Sequence, residues 1–226
     1  MMRAMHVTTF AAIVGLACVR PAGADDDVDR AFATARASAN AGDVVAQFSL
    51  GAMLYYGGND TAQAVEWFGK AAAQGFPSAE FQMGQLYDFG FGVAQDDREA
   101  LAWYRQAAEH GDAAGQRAVG DFFRKGRGVD ADAVEAVRWY RRGANGDDLR
   151  AQYQLGQMYF TGDGVPRDYG SAYFWFSVAA GQTPLVDNAK ALIELRNIAA
   201  ARVTPDEEAA AASRVAAWKP VPPSPQ

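Results

Sequence analysis

Residues 79–104 read AEFQMGQLYDFGFGVAQDDREALAWY, and the same frame returns at 115–140 as GQRAVGDFFRKGRGVDADAVEAVRWY and at 151–176 as AQYQLGQMYFTGDGVPRDYGSAYFWF. A shorter version, without the Gly-x-Gly-Val loop, occupies residues 46–68. The period is 36 residues, as the spacing of four tryptophans shows: Trp67, Trp103, Trp139 and Trp175. A constant period of this length is typical of repeat proteins, in which each unit is one supersecondary element.

Each unit has the pattern of two helices. Its first segment carries apolar residues at i, i+4, i+7 and i+8, and its second places aromatic and alanine residues at three- and four-residue spacings. A glycine such as Gly84 recurs in the middle of every first segment, although glycine costs a helix about 1 kcal/mol relative to alanine. Its recurrence indicates that two helices approach closely there. One pair cannot bury its own apolar face, so the pairs are expected to stack into an all-α solenoid.

This pattern resembles the Sel1-like repeat family, which is related to the tetratricopeptide repeats. The resemblance covers residues 42 to about 182, and the second unit carries its motif in full: Ala79, Gly84, Tyr87, Gly90, Gly92, Val93, Asp96, Ala100, Trp103, Tyr104, Ala107, Ala108 and Gly111. It implies an α-solenoid of four helix-pair repeats, at 42–74, 75–110, 111–145 and 146–183. The third unit departs from the pattern with Gly115 and Arg117, so we expect its first helix to pack less tightly.

The flanks of the repeats predict capping helices. One is expected over residues 25–41, and others over 184–218, where Thr204-Pro-Asp-Glu207 has the form of a capping box. Residues 219–226 contain four prolines and cannot continue a helix. Their Pro220-x-x-Pro223 spacing is compatible with a polyproline ligand as well as with an unstructured terminus. Whether this segment occupies the chain's own groove stays open.

Residues 1–24 have the features of a secretory signal peptide. Arg3 precedes an apolar stretch, residues 8–19, that is too short for a transmembrane helix of about 20 residues, and Ala22-Gly-Ala24 is a peptidase pattern. Cleavage would leave a periplasmic or secreted chain with no membrane span; the alternatives are an uncleaved membrane anchor and a wrongly assigned start of the chain. It removes two of the 21 basic residues and none of the 27 acidic ones, so the net charge changes from −6 to −8. Whether Cys18 is lipidated stays open.

Composition excludes several classes of function. The negative charge argues against a nucleic-acid binder, and a single cysteine excludes both a disulfide framework and a cysteine-based zinc site. The Gly-x-Gly-Val loops lie between predicted helices, whereas a phosphate-binding loop follows a strand. His110 has no second ligand at helical spacing. We therefore predict no catalytic residue, no metal site, no cofactor and no enzymatic activity.

The remaining conspicuous residues have structural interpretations. Paired acids such as Asp96-Asp97 and Asp147-Asp148 are expected in loops and at helix starts, where negative charge satisfies free N–H groups, with weak calcium binding as the alternative. The tryptophans and the aromatic residues beside them are expected in the core, with a sugar-stacking platform as the alternative.

Partner binding is predicted for the residues three, six and ten positions after the small residue that opens each first-helix motif. These positions lie on the face away from the apolar stripe and are expected to line a concave surface: Gln82, Gln85, Phe89, Asp121, Lys125, Gln154 and Gln157. Amides and an aromatic ring suit hydrogen bonding to an extended peptide or glycan.

The resemblance implies a non-catalytic protein–protein interaction scaffold, and the signal peptide places it in the bacterial cell envelope. The alternatives are a peptidoglycan or envelope-polysaccharide binder and a secreted host-interaction factor. The residues do not choose between a protein and a glycan as the occupant of the groove.

Overall fold

The computed structural model describes residues 24–57, 60–182 and 187–221. The predicted signal peptide up to residue 23, Cys18 and residues 222–226 lie outside these ranges. Eleven helices and no strand occur in the described ranges: α1 (Ala24–Asn40), α2 (Val44–Tyr56), α3 (Thr61–Ala72), α4 (Pro77–Phe89), α5 (Asp97–Glu109), α6 (Ala113–Lys125), α7 (Ala133–Asn145), α8 (Leu149–Thr161), α9 (Tyr169–Gln182), α10 (Asp187–Ala200) and α11 (Pro205–Ala217). The all-α prediction is confirmed.

Aspartates begin most of these helices. The side chains of Asp43, Asp112 and Asp148 accept hydrogen bonds from backbone N–H groups in the first turns of α2, α6 and α8. Asp96 accepts from two N–H groups at the start of α5. α4 instead has Pro77 in its first turn, where the missing N–H group leaves no donor unsatisfied. The acids of the repeat motif therefore satisfy helix ends.

The mid-helix glycines mark the closest contacts between the two helices of each unit. A Cβ atom on Gly84 would lie 2.5 Å from the ring of Tyr104, well inside van der Waals contact. The same contact occurs in the other three units, at 2.7–2.8 Å: Gly51 with Phe68, Gly120 with Tyr140 and Gly156 with Phe176. The packing reason inferred for the recurring glycine is thus confirmed.

The ring that fills this contact is the residue after each tryptophan, and it is the most deeply buried aromatic of its unit. Tyr140 and Phe176 are fully buried. Trp67 and Trp175 are buried members of the core, as expected, and Trp103 and Trp139 are half-buried and pack against it.

The first helix of the third unit packs closely at Gly115 and Arg117, where the sequence predicts looser packing. A Cβ atom on Gly115 would lie 2.9 Å from the Cβ atom of Ala107, so the glycine brings α6 close to α5. Arg117 pairs with Asp121 and Asp148 at 3.0 and 3.3 Å. The expectation of looser packing is wrong because the glycine allows a closer backbone approach and the arginine replaces ring contacts with ion pairs.

Additional helices cover both ends of the stack. α1 packs against α2, and its Ala39 is buried. α9 contacts both α10 and α11. The capping box predicted for α11 is present, since Thr204 and Glu207 exchange hydrogen bonds. Beyond α11, Trp218 packs against the core of the last two units.

Candidate functional site

The seven residues predicted to contact a partner are named here the first-helix strip: Gln82, Gln85, Phe89, Asp121, Lys125, Gln154 and Gln157. The structure places them on three consecutive first helices, α4, α6 and α8. Phe89 and Lys125, at the helix ends, are exposed, and the other five are half-buried. The equivalent Ala52 and Ala118 are buried, so the strip is interrupted where small residues occupy these positions.

Gln82 links the strip to the first unit. Its side-chain Nε2 donates to the Tyr56 hydroxyl across the α2–α4 contact, at 3.1 Å. A tyrosine hydroxyl that accepts one hydrogen bond still has its own proton to donate. This pair therefore presents a donor near the end of α2.

Both carboxylate oxygens of Asp121 make contacts within the chain. One carboxylate oxygen accepts from the Tyr140 hydroxyl at 2.7 Å, and the other pairs with Arg117 at 3.0 Å. Burial, together with the neighbouring carboxylate of Asp121, raises the pKa of Tyr140. With both oxygens engaged, Asp121 positions α7 against α6, and the exposed member of this unit is Lys125.

The fourth unit supplies two amides. The Gln157 side chain donates to the Tyr153 hydroxyl one turn earlier on α8. The Oε1 atom of Gln154 is buried without a hydrogen-bond partner. In this unit, Gln157 is thus the half-buried strip residue whose side-chain amide is held in place by a hydrogen bond.

Four aromatic side chains cluster at the ends of α2 and α4, three of them exposed and Tyr55 half-buried, and we name them the aromatic patch: Tyr55, Tyr56, Phe89 and Phe91. The Phe89 and Phe91 rings stack with centroids 5.7 Å apart, and Tyr55 lies 5.1 Å from Tyr56 and 6.4 Å from Phe91. Tyr56 and Phe89 are each 58% exposed and Phe91 is 48% exposed. The sequence prediction included Phe89 alone. An aromatic residue between the two loop glycines was the available signal for Phe91.

A second polar cluster ties the loops of units two and three together. The Asp88 carboxylate accepts from the Tyr104 hydroxyl at 3.1 Å and pairs with Arg127 at 2.6 Å. Arg127 also pairs with Asp97, and its guanidinium lies 4.5 Å from the ring centroid of Phe122. Burial and the adjacent carboxylate raise the pKa of Tyr104. These contacts join Asp88 and Asp97 of the second unit to Arg127 of the third, so the cluster is a connection between units.

The one histidine of the repeats joins a buried acid. Glu80 is 1% exposed, and its carboxylate oxygens lie 2.8 and 2.9 Å from Nδ1 of His110 at the end of α5. In the other units this position is a buried glutamine that donates to a carbonyl eight residues earlier: Gln47 to Ala39, Gln116 to Ala108 and Gln152 to Ala144. His110 therefore ends its helix, as the sequence indicated, and also forms a hydrogen bond with the buried Glu80 side chain, which the sequence analysis missed.

Over the part of the chain that the structure describes, no three His, Cys, Asp or Glu side chains are grouped closely enough to hold a metal ion. Among the helices of the same ranges, none combines the length and the apolarity that crossing a bilayer requires.

A model of the Sel1 repeat family matches residues 44–76, 77–112, 113–148 and 149–183. The chain belongs to the Sel1 repeat family. Each of the four matches begins at the first residue of a first helix, α2, α4, α6 or α8. The repeat assignment made from the glycines and aromatic residues is thereby confirmed.

Two solved structures of Sel1 repeat proteins are similar to this chain. A Sel1 repeat protein from Oxalobacter formigenes is 36% identical with a TM-score of 0.65, over 69% of this chain and 65% of that one. The c5321 protein, described as a protective antigen of uropathogenic Escherichia coli strains with an SLR fold, is 29% identical with a TM-score of 0.52, over 80% of this chain and 46% of that one. This Sel1 repeat chain thus spans less than two thirds of either protein. No curated protein matches the chain.

Proposed function

We propose that this chain is a non-enzymatic scaffold of the bacterial cell envelope that binds a protein partner along the first-helix strip. Sel1 repeat proteins generally mediate protein–protein interactions. The observation that supports the proposal is the contrast between the recurring packing contacts of the repeats and the variable residues of the first-helix strip. The glycine–ring contacts recur in all four units, whereas the strip positions change from amide and phenyl to lysine and amide.

A surface of this kind suits an extended polypeptide. The half-buried amides of Gln85 and Gln157 are held on rigid helices, so hydrogen bonds to a peptide backbone require little further ordering of the scaffold. Phe89 offers an apolar contact at one end of the strip and Lys125 a positive charge in the next unit. The envelope location follows from the predicted signal peptide at residues 1–24.

Affinity purification with paired substitutions tests this function. A strip variant, Gln85→Lys with Gln157→Lys, places two charges on the surface, and Arg138→Glu changes a 70% exposed side chain on α7, a second helix, as a matched control. We expect a protein that co-purifies with the parent chain and with the control, and that is lost from the strip variant. Equal recovery by all three chains, or binding to purified sacculi alone, would contradict a protein site on the strip.

A further inference from the structure

We propose that the aromatic patch binds the proline-rich segment Lys219–Gln226 of a second copy of this chain, so that copies associate head to tail. The inference rests on the proposed function in that it names one ligand class for part of the same surface. It adds self-association, which the strip alone does not require.

The patch has the chemistry that a proline-rich segment needs. Exposed, closely spaced rings provide flat apolar faces for pyrrolidine rings, as in the aromatic grooves that recognise polyproline helices. Such a helix has no internal hydrogen bonds, so its carbonyl oxygens are open to donors. The Tyr56 hydroxyl, which already accepts from Gln82, has its proton available for one of them.

The described part of this segment is held in place on the side of the molecule opposite the aromatic patch. Trp218 packs against the core of the last units, and the Val221 backbone N–H donates to the Asn145 carbonyl at 2.7 Å. Val221 itself is 62% exposed. Val221, the residue before the prolines at 222 and 223, is therefore fixed beside the end of α7.

Helix directions place the patch and Asn145 on opposite edges of the stack. Glu80 near the start of α4 contacts His110 at the end of α5, and Arg117 near the start of α6 contacts Asp148 at the start of α8. The starts of the first helices thus share an edge with the ends of the second helices, Asn145 included. The aromatic patch lies at the ends of α2 and α4, on the other edge.

The distance rules out binding within one copy. A helix of 13 residues is about 20 Å long, so the two edges are separated by roughly that length before any sideways distance is added. The proline-rich residues 222–226 themselves span about 17 Å at most when fully extended. The segment of one copy therefore cannot reach its own patch, whereas a second copy meets no such limit. Because the two surfaces differ, the contact is heterologous, and a pair of copies retains one unused patch on one copy and one unused segment on the other.

A mixing experiment tests the proposal. The patch variant carries Phe89→Ser with Phe91→Ser, the segment variant carries Pro222→Ser with Pro223→Ser, and all chains are purified from cells that express the full-length sequence. The control, Val45→Ser with Val134→Ser, removes two other apolar side chains of similar exposure, 51% and 53%. Circular dichroism and the thermal midpoint establish that each variant is folded.

Sedimentation velocity over a range of concentrations gives the readout. We expect the parent and the control to associate with rising concentration, and each variant alone to need at least about tenfold more protein, a loss of about 1.4 kcal/mol. An equimolar mixture of the two variants should form one-to-one complexes and no larger species, because one partner supplies the patch and the other the segment. A parent that stays monomeric, variants that associate like the parent, or a mixture that fails to pair would each overturn the proposal.

The outcome is separable from that of the proposed function. Gln157 lies on α8, away from the patch, and its role in partner binding does not depend on self-association. If the paired variants show no self-association while the strip variant still loses its partner, only this inference fails. If self-association follows the mixing prediction while the strip variant loses nothing, only the partner site fails.

Discussion

Replacement of Gly84 by alanine should destabilise the protein even though alanine is the better helix former. The new Cβ atom would lie 2.5 and 2.6 Å from two carbons of the Tyr104 ring, about 1 Å inside ordinary contact. Tyr104 is only 3% exposed and its hydroxyl is held by Asp88, so the ring has little room to move. Overpacking of this kind costs about 1–3 kcal/mol, against a helix-propensity gain of about 1 kcal/mol. We expect a net loss of up to about 2 kcal/mol in the free energy of unfolding.

The chain offers a matched control for Gly84→Ala. Gly69 is also inside a helix, but a Cβ atom there has no neighbour within 4 Å, so Gly69→Ala should gain up to about 1 kcal/mol. The assay is the thermal midpoint followed by circular dichroism, with about 2–4 °C expected per kcal/mol for a chain of this size. Gly84→Ala should melt below the parent and Gly69→Ala at or above it. If both variants shift in the same direction, the glycine–ring contact does not limit the approach of the helices.

Three further expectations follow. His110→Ala should lower the free energy of unfolding by about 3 kcal/mol, because it leaves the buried Glu80 carboxylate unpaired. In a Glu80→Gln background the same substitution should lower it by less than about 1 kcal/mol. Denaturant unfolding of the two single variants and the double variant measures this difference as a double-mutant cycle. The backbone N–H and hydroxyl of Thr204 donate to the Glu207 carboxylate and hold the pKa of Glu207 below its usual 4.5. The cap of α11 should therefore be intact above pH 4.5 and be lost as the pH falls through the lowered pKa. Amide hydrogen exchange of α11 should show this loss, and Glu207→Gln should remove the pH dependence. Mass spectrometry of the exported chain should find Asp25 as its first residue, and an uncleaved chain would contradict the signal peptide.

Much of the fold was predictable because its determinants are local. The period, the mid-helix glycine and the Thr204 capping box each depend on residues that are close in sequence, and all three are present in the structure. The expectation for the third unit is wrong because a glycine in place of alanine does not loosen the packing at position 115. In the structure its missing Cβ atom is what lets α6 approach Ala107.

The site was less predictable because its contacts join different units. Phe91 lies in a loop of the second unit, and its packing against Tyr55 of the first depends on how the units stack. The Asp121 carboxylate looked available from its position on the helix, but it is engaged by Tyr140 and Arg117. Such contacts join residues on different helices. The sequence pattern predicts the helix face on which a residue lies, but it does not predict which residue of another helix it contacts.

The central claim is that the first-helix strip holds a protein partner, and crosslinking in cells tests it most directly. A photoreactive residue at Gln85, in the full-length chain exported by its own signal, should capture a discrete protein, and the same residue at Arg138 on α7 should not. A band of one mass from Gln85 alone is the result that this account predicts. Capture of glycan only, no capture, or the same adduct from both positions would contradict it.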